Sequence, residues 1–192
     1  MAGINNIKMK PAYKQFLLYS IKFLAVFAVV YFGTIAWIGL AAPGNYYCSF
    51  IDHHLDYITW LRNSLLQGSK YLLSLFNYQS QIPDAYSLQI VNGKAVHIGY
   101  DCIGYGVMSF WLAFIIANKG TWIRKLLWIT AGLIIIWLIN ITRISMMLVA
   151  LNKNKTLPFK LDNHTFFNIL AYIAIFIMIF IYDKQSKKAT AK

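Results

Sequence analysis

Residues 122–151 read WIRKLLWITAGLIIIWLINITRISMMLVAL, and this stretch decides the class of the fold. It is long enough to span a membrane, because a helix needs about 20 predominantly apolar residues to cross the hydrocarbon core. The composition agrees, since 59% of the 192 residues are hydrophobic and 12% are charged. A water-soluble domain of that composition would expose large apolar patches. The sequence therefore predicts an all-α integral membrane protein, formed by a single domain over residues 1–192.

Four segments have the length and polarity of membrane-spanning helices. They cover about residues 16–40, 100–118, 122–151 and 166–182. The first has features of a secretory signal peptide, because three lysines precede an apolar run that ends in GLAAPG. That run is longer than the roughly 7–15 residues of an ordinary signal-peptide core. We therefore expect it to be an uncleaved membrane anchor.

The basic residues predict the orientation of these spans. Cytoplasmic loops of membrane proteins carry an excess of Lys and Arg. With both termini inside, eleven basic side chains are cytoplasmic and six are external, although the loop with Lys153, Lys155 and Lys160 opposes this assignment. Topology thus explains the net charge of +12, and we expect no nucleic-acid partner.

The segment between the first two predicted spans, residues 43–99, is expected to lie outside the membrane. Its first half carries apolar residues at mostly helical spacing beside charged ones, a pattern typical of a helix in the membrane interface. Arg62 and Gly68 interrupt the apolar pattern. An external interfacial helix is therefore favoured, and a fifth span over residues 53–77 is the alternative.

A β-hairpin is predicted directly before the second span. Residues 86–100 read YSLQIVNGKAVHIGY, with two β-favourable runs around Asn92-Gly93. This dipeptide supplies positive φ at both central positions of a type I′ turn. The hairpin would lead straight into Cys102, at the start of the span.

Three polar side chains are expected at the outer membrane face: Cys102, Arg143 inside the third span, and His164 just before the fourth. Arg143 lies roughly 30 Å along its helix, and a charge there is costly unless it is paired or faces a polar cavity. Asn140 lies three residues earlier on nearly the same side. A thiolate can attack a carbonyl, an imidazole can move protons, and a guanidinium can stabilise an oxyanion. Gly104 would leave room for a substrate backbone, so these residues predict a site for nucleophilic catalysis.

Other interpretations of the same residues stay open. A membrane cysteine is most often a small apolar filler, an arginine can reach for lipid head groups, and His164 can simply begin a helix. Cys102 could also form a disulfide with Cys48, since both are expected on the oxidising side. His97 could serve Cys102 in place of His164.

A metal site is imaginable in the stretch DHHLD, residues 52–56, through His53, His54 and Asp56. Neighbouring side chains of a helix point about 100° apart, however, so a solvated polar face is favoured. We therefore predict no metal site.

Three motifs in a fixed order carry a resemblance to a known family. They are DCIGYG at residues 101–106, NITRI at 140–144, and the NH at 163–164 that opens the last span. In this order they resemble the exosortase/archaeosortase family of membrane cysteine transpeptidases, over about residues 99–182. The histidine is typical of the bacterial exosortase branch, of which this chain would be a short form.

The resemblance implies a cysteine peptidase/transpeptidase. It implies that Cys102, followed by Gly104, is the nucleophile, that Arg143 with Asn140 supports the oxyanion, and that His164 acts as base and then as acid. No metal or organic cofactor is implied. The chain departs from many bacterial members, which carry a basic residue soon after Cys-x-Gly, because it has no charge from there until Lys119.

The resemblance also implies the partners and the location. The substrate would be a membrane protein with a C-terminal sorting signal, made of a short motif, a span and a basic tail. Its acyl group would pass to an unknown lipid or glycan acceptor. The protein would be a multi-pass protein of the bacterial cytoplasmic (inner) membrane, in contact with the lipid bilayer, and its active site would face the periplasm.

A function of another class is the alternative. The chain could be a non-catalytic membrane scaffold or a lipid-binding subunit of an envelope-polymer export system, in which Arg143 and the basic loop hold a lipid phosphate. A transporter is disfavoured, because the polar residues gather at one face and do not line a path through the midplane.

Overall fold

The computed structural model describes residues 11–42, 44, 46–153 and 163–190. This part of the chain is mostly helical and carries one small sheet. In chain order the elements are α1 (Pro11–Ala41), α2 (Ser49–Leu55), α3 (Tyr57–Leu75), β1 (Ser80–Asp84), β2 (Ser87–Ile90), β3 (Ala95–His97), a 3₁₀ turn (Tyr100–Cys102), α4 (Tyr105–Ala117), α5 (Trp122–Asn152) and α6 (Asn163–Thr190).

Among the described residues, two helices are long and apolar enough to cross a membrane. They are residues Tyr13–Ala41 of α1 and the whole of α5, Trp122–Asn152. Both coincide with predicted spans. Helix α6 includes residues 166–182, and the span expected there stays a prediction. The helix expected over residues 100–118 is shorter, because α4 has 13 residues and a length of about 20 Å.

The reason for the shorter α4 is the backbone at its start. Gly104, the residue before α4, has φ +84 in the left-handed region, so the helix cannot extend back through Cys102. The predicted second span is therefore wrong at its N-terminal boundary. Helix α4 packs against α1 through aromatic pairs, including Tyr31 with Tyr105 at 5.5 Å between ring centroids.

The helix expected in the external segment is present as α2 and α3, which meet at Asp56. Helix α3 continues unbroken through Arg62 and Gly68. It packs against α5 with small residues, since a Cβ at Gly68 would overlap the Ile141 side chain. The Ser145 hydroxyl also donates to the Ser69 carbonyl at 3.3 Å. Small residues let helix backbones approach closely.

The predicted hairpin is confirmed as β2 and β3, which pair antiparallel with Leu88 opposite Val96. Its turn differs from the expectation. Asn92 has φ 59, but Gly93 is not among the glycines with positive φ, so the type I′ prediction is wrong. The sheet also has an unpredicted strand, β1, at its edge in the order β1-β2-β3. Pro83 lies in β1, which suits an edge strand because proline lacks the N–H for a ladder hydrogen bond.

The sheet packs against the C-terminal end of α5. The Lys94 N–H donates to the Asn152 side chain at 2.6 Å. The Asn152 amide donates back to the Lys94 carbonyl at 3.2 Å. A hydrophobic core lies between α3, the sheet and α5, and we call it the sheet-end cluster. Its buried members are Ile58, Leu65, Leu66, Leu73, Leu88, Val96, Ile98, Ile103, Ile141, Ile144 and Leu148.

Candidate active site

Cys102 is the last residue of the 3₁₀ turn that joins β3 to α4. Its N–H donates to the Gly99 carbonyl at 3.0 Å, and the next N–H, that of Ile103, donates to the Tyr100 carbonyl at 3.2 Å. The side chain of Cys102 is half-buried against the sheet-end cluster. The thiol therefore lies in a hydrogen-bonded turn ahead of α4, and not in the first turn of a span as the sequence predicted.

Asn140 of α5 contacts this turn directly. Its side-chain amide donates a hydrogen bond to the Ile103 carbonyl at 3.1 Å, and the residue is 5% exposed. Gly104 makes that contact possible, because a Cβ there would overlap the Asn140 amide. The structure thus brings Cys102, Gly104 and Asn140 together.

Arg143 lies on α5 three residues after Asn140, on the same side of the helix. It is 8% exposed, and its Nε atom is buried without a hydrogen bond. Arg143 makes at least one further interaction. A guanidinium that reached for lipid head groups would lie at the surface, so the burial favours an internal role for Arg143.

His164 is the second residue of α6, and its side chain lies outside the described residues. Its predicted role therefore stays a prediction. Cys48 and Cys102 are both free thiols, so the alternative of a disulfide between them is not what the structure has.

The other described histidines are His53 and His54 of α2 and His97 of β3. Within the described ranges, no three His, Cys, Asp or Glu side chains group as metal ligands. Asp56 instead caps α3, accepting a hydrogen bond from the Thr59 N–H at 3.0 Å. His97 of β3 is exposed, and its ring stacks on Tyr86 at 5.6 Å between centroids.

A cavity of about 660 Å³ opens beside the turn that carries Cys102. Asp101 and Gly104 line it at this end, and side chains of α1, α4 and α6 line the rest. Phe27, Phe110 and Phe176 are among them, which makes the cavity largely apolar. It can therefore accept an apolar chain that reaches the thiol-bearing turn.

The sequence also matches a known protein family. A model of the family described as transmembrane exosortase matches residues 16–181. The chain belongs to the transmembrane exosortase family. The match contains Cys102, Asn140, Arg143 and His164, and membership of the family indicates a membrane protein with a transpeptidase type of function. Neither the curated proteins nor the solved structures gave a match.

This exosortase has a second buried guanidinium, which the sequence reasoning missed. Arg62 of α3 is 3% exposed. Its guanidinium carbon lies 4.0 Å from the centroid of the Tyr86 ring and 5.9 Å from that of Tyr100. The sequence did contain a signal, since Arg62 follows Ile58 and precedes Leu65 at helical spacing, on the apolar face that α3 buries.

Proposed function

We propose that this protein is a membrane cysteine transpeptidase that cleaves a C-terminal sorting signal at the outer membrane face and transfers the acyl group to an acceptor. The observation that carries the proposal is the hydrogen bond from the Asn140 amide to the Ile103 carbonyl, 3.1 Å long. It ties the turn that bears Cys102 to the face of α5 that bears Arg143. A nucleophile and a buried cation are thereby held on neighbouring elements, as acyl transfer requires.

The reaction follows from the chemistry of three side chains. The Cys102 thiol gives its proton to His164, and the thiolate attacks the scissile carbonyl carbon. Arg143 stabilises the negative oxygen of the tetrahedral intermediate. The C–N bond then breaks, the leaving amine takes the proton from His164, and a thioester remains on Cys102. An amine or hydroxyl of the acceptor attacks this thioester, forms the new acyl bond and returns the proton to the thiol.

In this proposal α1, α5 and α6 cross the membrane, and α4 crosses it together with its flanking residues, over about 100–118. Both termini lie in the cytoplasm. A hydrocarbon core about 30 Å thick that begins near Trp122 ends close to Asn140, about 27 Å along α5. The last 12 residues of α5 then extend about 18 Å further. They meet α3 and the sheet, which lie outside. The turn with Cys102 would face the periplasm of a bacterial inner membrane.

The proposed partners are those that the resemblance to the family implies. The substrate is a membrane protein whose C-terminal signal consists of a short motif, a span and a basic tail. The apolar cavity of about 660 Å³ at the Cys102 turn suits the apolar part of that signal. The acceptor is a lipid or a glycan that carries a nucleophilic amine or hydroxyl.

The test is the processing of a reporter protein that ends in such a sorting signal, followed by its size on a gel. Cys102→Ser should insert in the membrane and leave the reporter uncleaved. Cys48→Ser, the matched control at the other free thiol, should cleave it normally. Cleavage by Cys102→Ser at the normal rate would overturn the enzymatic function and favour the scaffold.

A further inference from the structure

Arg62 has an incomplete set of partners for a buried charge. One of its guanidinium NH₂ groups donates to the Thr59 hydroxyl at 2.9 Å. Its Nε atom is buried and has no hydrogen-bond partner. Within the described part of the chain, Thr59 is its one hydrogen-bond partner and no carboxylate pairs with it. The guanidinium therefore has unused donor capacity in a buried place.

The two tyrosine rings compensate for only part of the lost hydration. A guanidinium over an aromatic ring is attracted by the ring's electron-rich face, and the Tyr86 ring lies at 4.0 Å. A buried charge nevertheless costs free energy unless an opposite charge and hydrogen bonds accompany it. Arg62 is thus expected to bind an anionic group that the described part of the chain does not supply.

The position of Arg62 connects it with the thiol-bearing turn. Tyr100, whose ring centroid lies 5.9 Å from the guanidinium, is the first residue of the 3₁₀ turn that ends at Cys102. Ile58, one turn before Arg62 on α3, belongs to the same sheet-end cluster as Ile103. The residues Tyr86 and Tyr100 are 39% and 36% exposed. The aromatic residues that cover the guanidinium therefore border the solvent.

We propose that Arg62 is a specificity-determining residue that binds the carboxylate of an acidic side chain in the polypeptide substrate, close to the scissile bond. This proposal rests on the transpeptidase function above. A carboxylate is planar and pairs edge-on with a guanidinium, which suits a group covered by an aromatic ring on its face. A lysine would supply a point charge without the planar fork.

The test uses full-length protein in lipid nanodiscs and a reporter with a sorting signal that the wild-type protein cleaves. In a second reporter, each acidic residue ahead of the span is replaced by its amide. We expect the wild-type protein to cleave the acidic reporter at least about 10-fold more efficiently, as kcat/KM, because one buried charge pair is lost with the amide. Arg62→Met should cleave both reporters with equal efficiency. Arg62→Lys should keep part of the discrimination.

Lys70 provides the matched control. It is an exposed cation on the same helix, so Lys70→Met should discriminate between the reporters as the wild-type protein does. If Arg62→Met does not fold, the cleavage of the two reporters by the wild-type protein and by Arg62→Lys still tests the proposal. Equal cleavage of both reporters by the wild-type protein overturns the proposal, and so does a cleaved signal with no acidic residue ahead of its span. An equal loss for both reporters in Arg62→Met would mean that Arg62 only attaches the sheet to α3.

These outcomes are distinct from a failure of the transpeptidase function. If the function itself is wrong, Cys102→Ser cleaves like the wild-type protein whatever the charge of the reporter. If only the role of Arg62 is wrong, Cys102→Ser is inactive and the wild-type protein ignores the reporter's charge.

Discussion

The side-chain amide of Asn140 donates a hydrogen bond to the backbone carbonyl of Ile103 at 3.1 Å, so α5 holds the residue that directly follows Cys102. The bond is buried, and a buried polar group that loses its partner costs about 1–3 kcal/mol. It therefore resists separation of the thiol-bearing turn from α5. The turn and Arg143 therefore keep the same relative position, because one face of α5 carries Arg143 and holds the turn through Asn140.

The first prediction concerns Gly104, which allows that contact. Gly104→Ala places a Cβ against the Asn140 amide and forces a side chain into the left-handed region at φ +84. We expect a loss of about 1–3 kcal/mol in stability, together with a strong loss of reporter cleavage. Thermal unfolding in detergent and the cleavage assay measure the two effects.

Gly99 is the control for this prediction. It has an ordinary φ of −72, and a Cβ there would meet nothing within 4 Å. Gly99→Ala should therefore unfold and cleave like the wild-type protein. Equal behaviour of the two alanine variants would contradict the proposed role of Gly104.

The second prediction concerns Arg143. If its planar fork stabilises the oxyanion, Arg143→Lys retains the charge but lowers the cleavage rate by about 10²–10³, the usual cost of one oxyanion donor. Single-turnover cleavage of the reporter measures this rate. A near-normal rate in Arg143→Lys would exclude the oxyanion role.

The third prediction concerns the orientation of the Cys102 turn. In the Cys48→Ser background, Cys102 is the single thiol of the chain. A membrane-impermeant maleimide applied to spheroplasts should label it, because the proposed topology places the turn outside. Labelling of the permeabilised sample alone would reverse the orientation. Cys48→Ser/Cys102→Ser is the control for background labelling.

The fourth prediction concerns the pH dependence of the sheet. The Tyr86 N–H donates to the Asp84 carboxylate at 2.7 Å. This bond, with further hydrogen bonds from Ser87, holds the pKa of Asp84 below its ordinary value. Because the folded-state pKa is the lower one, the stabilisation is present above the unfolded-state pKa and is lost as the pH falls through the folded-state pKa.

Asp84→Asn checks this prediction, since it removes the titrating group. Thermal unfolding recorded from neutral pH down through about pH 4 should depend less on pH in this variant than in the wild-type protein. An NMR titration of the wild-type carboxyl carbon should give a pKa below the ordinary value of Asp. The same pH dependence in both proteins would show that the hydrogen bond from Tyr86 does not stabilise the sheet.

The apolar runs of α1 and α5 determined the membrane class, because crossing a bilayer depends on the length and hydrophobicity of a continuous segment. The order of Cys102, Asn140, Arg143 and His164 was enough to predict the family, which the match over residues 16–181 confirms. The β2–β3 hairpin was also predictable, since alternating β-favourable residues around Asn-Gly are a local signal.

Tertiary structure decided what depends on contacts between distant segments. Gly104 has a left-handed backbone conformation, so α4 begins only at Tyr105. Because Gly104 has no Cβ, there is space for the side-chain amide of Asn140, 36 residues later on α5. Arg62 looked like an interruption of an apolar helix, yet it is buried because Tyr86 and the sheet cover it. Periodicity predicts which face of a helix is apolar, but it does not say which segment will cover a charge on that face. That depends on packing, and packing alone placed a second guanidinium near the turn of Cys102.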